Sequence, residues 1–576
     1  MIKFVLIPLC LLLIGSVIFT VLSAYLYATL GEYRFDYLLW WSGFFHQLNL
    51  PMLALSGIAA LLAALIPLIA YIKSLLVKRE LYGSARFATI SEVKGSGLFK
   101  KGGHKILVGK IKKKYLYYQG DLHPFLAAPT GSGKGVGYVI PNLLNWTGSV
   151  VVTDMKKEAW QATSGYRHSV LKQPCYFFDP LNEDKKTCRI NPFSYVRMGS
   201  DHVVGDVRSI ADALVIDADG GDGNQWSAFA RKLFTSLALL VLEAGPQLGW
   251  KKTIGQVYRI INSEEDLTKV INDAIKKVEE TRTLSDECKG ALLAFVRQPE
   301  KQREGTITTL DGALQLWQSP LVDLATSASD IDFNTLRVTP QSLYLVSNNS
   351  DLRKLRSLFK LVFQTLITVN SMKTKQEDPT LQTPLLLLMD EFLSLGKMPQ
   401  VVHAMSYVRG YGIRLAPVLQ SPSQLVSVYG QADTDAFLEN TDVRIVFRPK
   451  AESAKKISEM LGTETVKQKS FSKSRGNAKS VNISDQSRAL LLPQELQELG
   501  DEKCVVFVEK QKPIFADKIR YYQERLFTKR LLAAAPLPEA NLKGRAVSVA
   551  LSQEIGPLSG NQVTSLVDEI FEKYTK

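Results

Sequence analysis

The residues of this sequence most able to do chemistry form APTGSGKG, Ala128–Gly135. Thr130, Gly131, Ser132, Gly133, Lys134 and Gly135 make a glycine-rich turn between a short apolar run, Pro124–Ala128, and a second apolar segment. A strand, such a turn and a helix start form a phosphate cradle, because glycine lets the chain turn tightly and bring backbone N–H groups close to an anion. Lys134 adds a point charge for the outer phosphates. Against the pattern G-x-x-x-x-G-K-[ST], Ala128 replaces the first glycine, and Gly135 replaces the hydroxyl residue that would hold Mg²⁺. Pro141 would cost about 3 kcal/mol in a helix interior, so the following helix is expected to be short or kinked. A surface turn with a chance lysine is the competing reading. It explains neither the strand before the loop nor an acidic strand end downstream.

That strand end lies in PLLLLMDEFLSLG, Pro384–Gly396, where four leucines and a methionine run into Asp390 and Glu391. Asp390 can hold Mg²⁺ opposite the phosphates, and Glu391 can orient and deprotonate an attacking water. Asp154 ends another β-branched run, Val150–Thr153. Ligands of open α/β sheets bind at such carboxyl ends, so Asp154 either acts on Mg²⁺ through water or caps the next helix. Gln420 follows the strand in IRLAPVLQSPSQL and either reads the terminal phosphate or is a satisfied loop amide. Arg409 and Arg414 flank the start of that strand. An arginine reaching across a subunit boundary can stabilise the charge that develops in phosphoryl transfer; a surface salt bridge is its ordinary use. The phosphate loop and the acidic pair are expected at neighbouring strand ends, gripping one Mg-nucleoside triphosphate.

The rest of the chain must position these groups. Its 576 residues suffice for more than one core, and the net charge of +14 favours polyanions or an anionic membrane face. Five scattered cysteines without C-x-x-C argue against zinc or a disulfide framework. Residues 1–80 read as a transmembrane hairpin. Phe4–Leu30 and Leu50–Ile72 carry no charge, and Lys3, Lys73, Lys78 and Arg79 outside them put both ends in the cytosol and the loop 31–49 outside. A cleaved signal peptide would need a shorter apolar run.

Residues 81–200 read as a linker (Leu81–Phe99), a lysine-rich strand pair (Lys100–Tyr118) facing anionic lipid, nucleic acid or plain solvent, and the first part of a nucleotide-binding domain. Residues 201–325 are helical by periodicity, with Trp226, Phe229, Leu233, Leu237, Leu240 and Val241 on one stripe and further helices at Asp266–Glu280 and Cys288–Gln302. Residues 326–530 resume the α/β texture with strands at Ser342–Ser347, Asp442–Pro449 and Lys503–Lys510 and a long helix, Asp351–Met372. Val466–Ser480, with five positive charges and no negative one, reads as a flexible basic loop that tracks phosphates or merely links. Residues 531–576 read as a flexible tail closing in an amphipathic helix (Val563, Leu566, Val567, Ile570, Phe571, Tyr574).

Together these stretches resemble the TraG-type coupling proteins of bacterial type IV secretion and conjugation systems. The likeness rests on LYGSARFAT, APTGSGKGVGYVIPNLLNW, VVTDMKKE, the Asn191–Pro192 turn, DEFLSLGKMP, YVRGYGIRLAPVLQSPSQLVSVYG and SRALLLPQEL. Gly135 in place of Ser or Thr is similar to this branch too. The resemblance implies an α/β, RecA-like P-loop NTPase domain with an all-α insertion behind a two-helix transmembrane anchor. It implies a hexameric ATPase using ATP and Mg²⁺ at the bacterial inner membrane. Its cargo would be relaxase-bound single-stranded DNA or effector proteins, handed to secretion-channel ATPases and inner-membrane components. It assigns Lys134 to the phosphates, Asp390 and Glu391 to Mg²⁺ and water, Gln420 to sensing, and Arg409 to a neighbour's nucleotide. A membrane scaffold with a nucleotide switch and an FtsK-like DNA pump are the alternatives. The pump would need a further DNA-reading domain that the tail does not resemble.

Overall fold

The computed structural model describes residues 81–538, with breaks at 121–122, 217–222, 282, 349 and 474–478, and six positions between residues 17 and 69. The two apolar runs, but for those positions, the loop between them and the amphipathic helix near the C-terminus lie outside the described residues. No helix among the described residues is long and apolar enough to cross a membrane. The chain divides into two compact units, residues 1–85 with 463–488, and residues 86–462 with 489–576.

The larger unit is built on one mixed sheet. Its strands are β1 (Ile106–Ile111), β2 (Lys114–Tyr118), β3 (His123–Ala127), β4 (Ser149–Asp154), β5 (Cys175–Phe178), β6 (Ser342–Val346), β7 (Leu385–Met389), β8 (Ile413–Leu419) and β9 (Thr441–Val446). After a hairpin of β10 (Thr463–Lys473) and β11 (Lys479–Ala489) come β12 (Lys503–Val508) and β13 (Ile514–Asp517). The order is β2-β1-β13-β12-β9-β3-β8-β7-β4-β6-β5. From β9 to β5 all neighbours are parallel, and the remaining four strands extend the sheet antiparallel beyond β9. The central strands are buried along their whole length, which is why they read as unbroken apolar runs rather than as alternation. Parallel strands share one carboxyl edge, so the residues after β3, β4, β7 and β8 come together there. The expectation of neighbouring strand ends is off by one: β8 lies between β3, which feeds the phosphate loop, and β7, which feeds the acidic pair.

The segment after the phosphate loop resolves the proline problem. Gly135–Val139 is a π-turn, followed by a short α-helix, Ile140–Asn145, with Pro141 in its first turn, where a missing N–H costs little. Asn142 fastens this helix to β1, accepting from Leu107 N–H at 2.7 Å and donating to the Leu107 carbonyl at 3.0 Å. Arg167, fully buried in the helix Glu158–Ser169, fastens its far end. It donates to the carbonyls of Leu143 (2.7 Å), Trp146 (2.6 Å) and Gly148 (2.9 Å), to Ser342 Oγ (2.6 Å) and to Gln173 Oε1 (2.7 Å). A guanidinium has five N–H donors, and here all are spent on neutral oxygens.

Residues 203–325 hold only helices among the described residues: Val203–Leu214, Gly223–Leu248, Ile254–Ile261, Leu267–Glu279, Asp286–Val296, Glu300–Leu314 and Pro320–Ala325, with one 3₁₀ turn. The stretch Cys288–Gln302 is two helices rather than one, because Pro299 takes an extended ψ of 145° between them. The supposed linker Leu81–Phe99 contains a helix, Ile90–Gly95, started by a Thr89–Glu92 capping box. The supposed basic loop Val466–Ser480 is mostly the β10–β11 hairpin of the smaller unit, whose root pairs with residues 83–85: Ala85 N–H donates to Thr463 O and Thr465 N–H to Gly83 O. Among the described side chains of its strands, residues 467–470 and 481–484 are all exposed, so no buried apolar face marks them as strands in the sequence.

The supposed tail also packs further than expected. Just before it, Arg530 Nη1 donates to Leu144 O at 2.6 Å, and within it Ala535 N–H donates to Ser164 Oγ at 3.0 Å. A Cβ on Gly165 would lie 1.9 Å from the carbonyl oxygen of Ala533, so only glycine admits this crossing. Gly165→Ala is therefore expected to cost about 1–3 kcal/mol and to expose the chain after Arg530. Thermal unfolding and limited proteolysis check this, and an unchanged melting temperature and cleavage pattern would refute the crossing.

Candidate nucleotide-binding site

The phosphate loop needs its glycines. Gly131 and Gly133 have φ of +79° and +84°, the left-handed region that costs other residues about 1–2 kcal/mol. The turn is closed by Ser132 N–H to Pro129 O (3.0 Å) and Gly137 N–H to Gly133 O (2.7 Å). Lys518, just past β13, supports it from below. Its Nζ donates to Ser132 O at 3.1 Å and lies 4.5 Å from the ring centre of Phe447. A Cβ built on Gly131, Gly133 or Gly135 meets no atom within 4 Å, so the loop faces open space.

Lys134 crosses the gap left by β8. Its Nζ stands 2.9 Å from Asp390 Oδ1 and also pairs with Glu391 Oε1. Gln420, at the end of the intervening strand, donates Nε2 to Glu391 Oε2 at 3.3 Å. The acidic pair is held by its backbone. Thr153 Oγ1 donates to Asp390 O at 2.7 Å, and Glu391 N–H donates to Asp390 Oδ1 at 2.9 Å. Glu391 itself has φ of +53°, a strained conformation for a residue with a side chain. Burial works against the Lys134 ammonium, but the two carboxylates outweigh it and hold its pKa above the usual lysine value. Burial raises Asp390 above the usual aspartate value, although Lys134 opposes the shift.

Two other expected site residues make no contact with Lys134 among the described ion pairs. Asp154 ends β4, but Trp160 N–H donates to its Oδ2 at 2.8 Å, so it caps the helix Glu158–Ser169. Burial raises its pKa, with backbone donors and Asp390 acting on it as well. Arg409 is exposed in the turn before β8, at the amino edge of the parallel strands. The seven residues of β8 separate it from the phosphate loop, about 23 Å at 3.3 Å per residue. Arg414 lies at that amino edge too, donating to His104 O at 3.2 Å and lying 5.7 Å from a ring centre of Trp146.

Sequence reasoning missed Lys518, Thr153 and Arg167. Nothing in the motif pattern marks them, because each acts on a backbone oxygen brought near by the fold. The carboxylate oxygens of Asp390 and Glu391 are the hard donors that Mg²⁺ takes, and they face the lysine of an open, glycine-lined loop. The fold and this arrangement define a phosphate-loop nucleotide-binding protein.

The comparisons narrow this class. Residues 86–544 match the family described as "Type IV secretory system Conjugative DNA transfer". The chain belongs to that family. It is 30% identical over 475 residues to Protein VirD4 of Rhizobium radiobacter, a match taking in 79% of this chain and 67% of that one. It is 28% identical over 515 residues to Conjugal transfer protein TraG of Escherichia coli, covering 80% of each. Among solved structures it is similar to plasmid coupling protein TrwB in complex with ADP and Mg²⁺, with a TM-score of 0.56 at 16% identity over 81% of this chain and 98% of that chain. At that identity the likeness is one of fold.

The loop geometry makes a three-way prediction for stability. Gly131→Ala and Gly133→Ala should each cost about 1–2 kcal/mol through the left-handed backbone alone, since the methyl group meets open space. Gly135→Ala, in the same open space without a positive φ, should leave stability unchanged or raise it slightly. Equal melting temperatures for all three variants would contradict this assignment of the loop backbone.

Proposed function

We propose that this chain is the coupling ATPase of a type IV secretion or conjugation system. It recruits relaxase-bound single-stranded DNA, effector proteins, or both, and drives them toward the secretion channel with ATP hydrolysis. The observation that carries this reading is Lys134 held between Asp390 and Glu391, with Gln420 on the far oxygen of Glu391. Membership in the conjugative DNA transfer family supports the cargo.

The residues divide the work. Backbone N–H groups of Thr130–Gly135 receive phosphate oxygens, and the Lys134 ammonium moves onto the outer phosphates. That movement frees Asp390 and Glu391 from Lys134. Asp390 is the better carboxylate for Mg²⁺, because Asp154 is committed to its helix cap. Mg²⁺, when bound, draws charge from the phosphate oxygens. Glu391 then takes the proton of the attacking water as its oxygen bonds to the terminal phosphorus and the bond to ADP breaks. Gln420 keeps the Glu391 carboxylate aimed at that water.

Arg409 supports an assembled ring. At the amino edge of its own sheet it cannot reach its own phosphate loop, so a role on nucleotide requires a neighbouring copy, as in a hexamer. The apolar runs 4–30 and 50–72 support anchoring in the inner membrane, with the bulk of the chain in the cytoplasm. The helices of residues 203–325 support a separate all-α module within a RecA-like domain.

Glu391→Gln should retain nucleotide binding while turnover falls by a factor of about 10²–10⁴, and DNA or effector transfer should stop with it. Transfer that survives without turnover would favour a scaffold that uses nucleotide only as a switch. For Arg409, turnover per chain should rise with protein concentration, and Arg409→Ala should lower the plateau by about 10³-fold or more. A rate per chain that does not vary with concentration, together with an active Arg409→Ala protein, would remove Arg409 from the reaction.

A further inference from the structure

The β10–β11 hairpin of the smaller unit has two unlike faces. Leu490 N–H donates to Gly462 O at 3.0 Å, so these two residues oppose each other at the root. Further out, Arg488 Nη1 lies 3.9 Å from Glu464 Oε1, which puts that ion pair on one face. Side chains alternate between the faces of a strand, and both arms run unbroken for 11 residues. Gln468, Ser470, Asn482 and Ser484 therefore share the face of the ion pair, and Lys467, Lys469, Val481 and Ile483 share the other. All eight are exposed, Val481 at 52% and Ile483 at 55%. One face is neutral and polar, whereas the other joins two cations to two branched aliphatic side chains. Asp485, nearer the root, is the one acid among the described side chains of that second face.

Folding alone does not account for this face. Its aliphatic pair adds nothing to a core, and the sequence from residue 466 to residue 480 holds five positive charges and no negative one to offset Lys467 and Lys469. The hairpin is also tied to a particular place in the chain. Tyr82 N–H donates to Thr465 Oγ1 at 3.0 Å, Thr463 Oγ1 donates to Tyr82 O at 2.7 Å, and Ser84 bridges to Glu464. Tyr82 follows the end of the apolar run 50–72 by ten residues, a link of at most about 35 Å. Each arm of the hairpin is itself about 36 Å long at 3.3 Å per residue.

We propose that the face of Lys467, Lys469, Val481 and Ile483 lies on the bilayer surface and selects anionic lipid, as a second contact separate from the apolar runs. A lipid interface offers both things this face needs. Headgroup phosphates meet the lysines, and the acyl boundary takes up Val481 and Ile483. A nucleic-acid backbone would meet the lysines but leave the aliphatic pair in water. A second copy of the hairpin would bring cations against cations. A zwitterionic surface has no net charge to draw the lysines, so the contact depends on lipid charge. The two faces of the hairpin stand by themselves; their place beside a bilayer rests on the anchoring reading above.

The test uses the full-length protein in nanodiscs of phosphatidylcholine, with and without an equal part of phosphatidylglycerol. An environment-sensitive dye is attached to Ile483→Cys or, on the opposite face, to Ser484→Cys. The unsubstituted protein, labelled in parallel, sets the background from its own five cysteines. With phosphatidylglycerol, emission from position 483 should shift to the blue and rise at least about threefold as the dye enters the headgroup boundary. Position 484 should not respond. The gain should fade between about 0.1 M and about 1 M salt, as the screening length drops from about 10 Å to about 3 Å. Adding Lys467→Gln/Lys469→Gln should remove it while ATP turnover and melting temperature stay unchanged. Equal signals from the two positions, or no gain in a protein that has entered the discs, would overturn the proposal. So would a response at position 483 to oligothymidine in detergent but not to phosphatidylglycerol, which would assign the face to nucleic acid. A protein that does not enter the discs would reject the anchoring reading instead. Flotation with phosphatidylglycerol vesicles then decides the hairpin: binding lost in Lys467→Gln/Lys469→Gln upholds this face, and no binding overturns it.

Discussion

One ammonium shared by two carboxylates holds this site together. Lys134 belongs to the loop after β3, and Asp390 and Glu391 to the end of β7, with a whole strand between them. Three charges gathered in a half-buried place are stable only while they face one another, because an unpaired charge there would cost several kcal/mol. The cluster therefore fixes how the loop sits over the strand ends. It is also exchangeable. On the proposed function, a ligand carrying its own negative charges takes over the lysine and leaves the two carboxylates for a cation and a water.

Everything near the cluster serves to hold its members at those positions. Gly131 and Gly133 supply left-handed backbone, Lys518 props the loop through Ser132 O, and Thr153 holds the Asp390 carbonyl. Arg167 ties the end of the helix after the loop to Ser342 on β6. β8 does two jobs. It sets the spacing that Lys134 must span, and it delivers Gln420 to the Glu391 oxygen that the lysine leaves unused.

The parts legible in the sequence were those with a local signature. Fully buried parallel strands leave unbroken apolar runs, so β4 and β7 and the acids that end them could be read directly. The glycine pattern gave the loop, and Pro141 gave the shortness of its helix, although not the π-turn that accommodates it. What was hidden depends on residues distant along the chain. That β8 separates β3 from β7 is a matter of sheet order, which periodicity does not encode. Asp154 has the sequence context of a metal ligand, and only the position of Trp160 N–H shows its carboxylate to be a cap. The β10–β11 hairpin was obscured because the apolar residues Val481 and Ile483 of β11 are exposed and mark no buried face.

The proposed function requires a single cleft in which Lys134 is the principal contact to the phosphates. Calorimetric titration with a non-hydrolysable ATP analogue and Mg²⁺ measures this most directly, comparing the wild type with Lys134→Ala. One site per chain is predicted in the wild type, with affinity falling by about 100-fold, or ~2.7 kcal/mol, in the variant, whose melting temperature without nucleotide also falls because Asp390 and Glu391 lose their cation. Equal affinity and stoichiometry in the two proteins would contradict it.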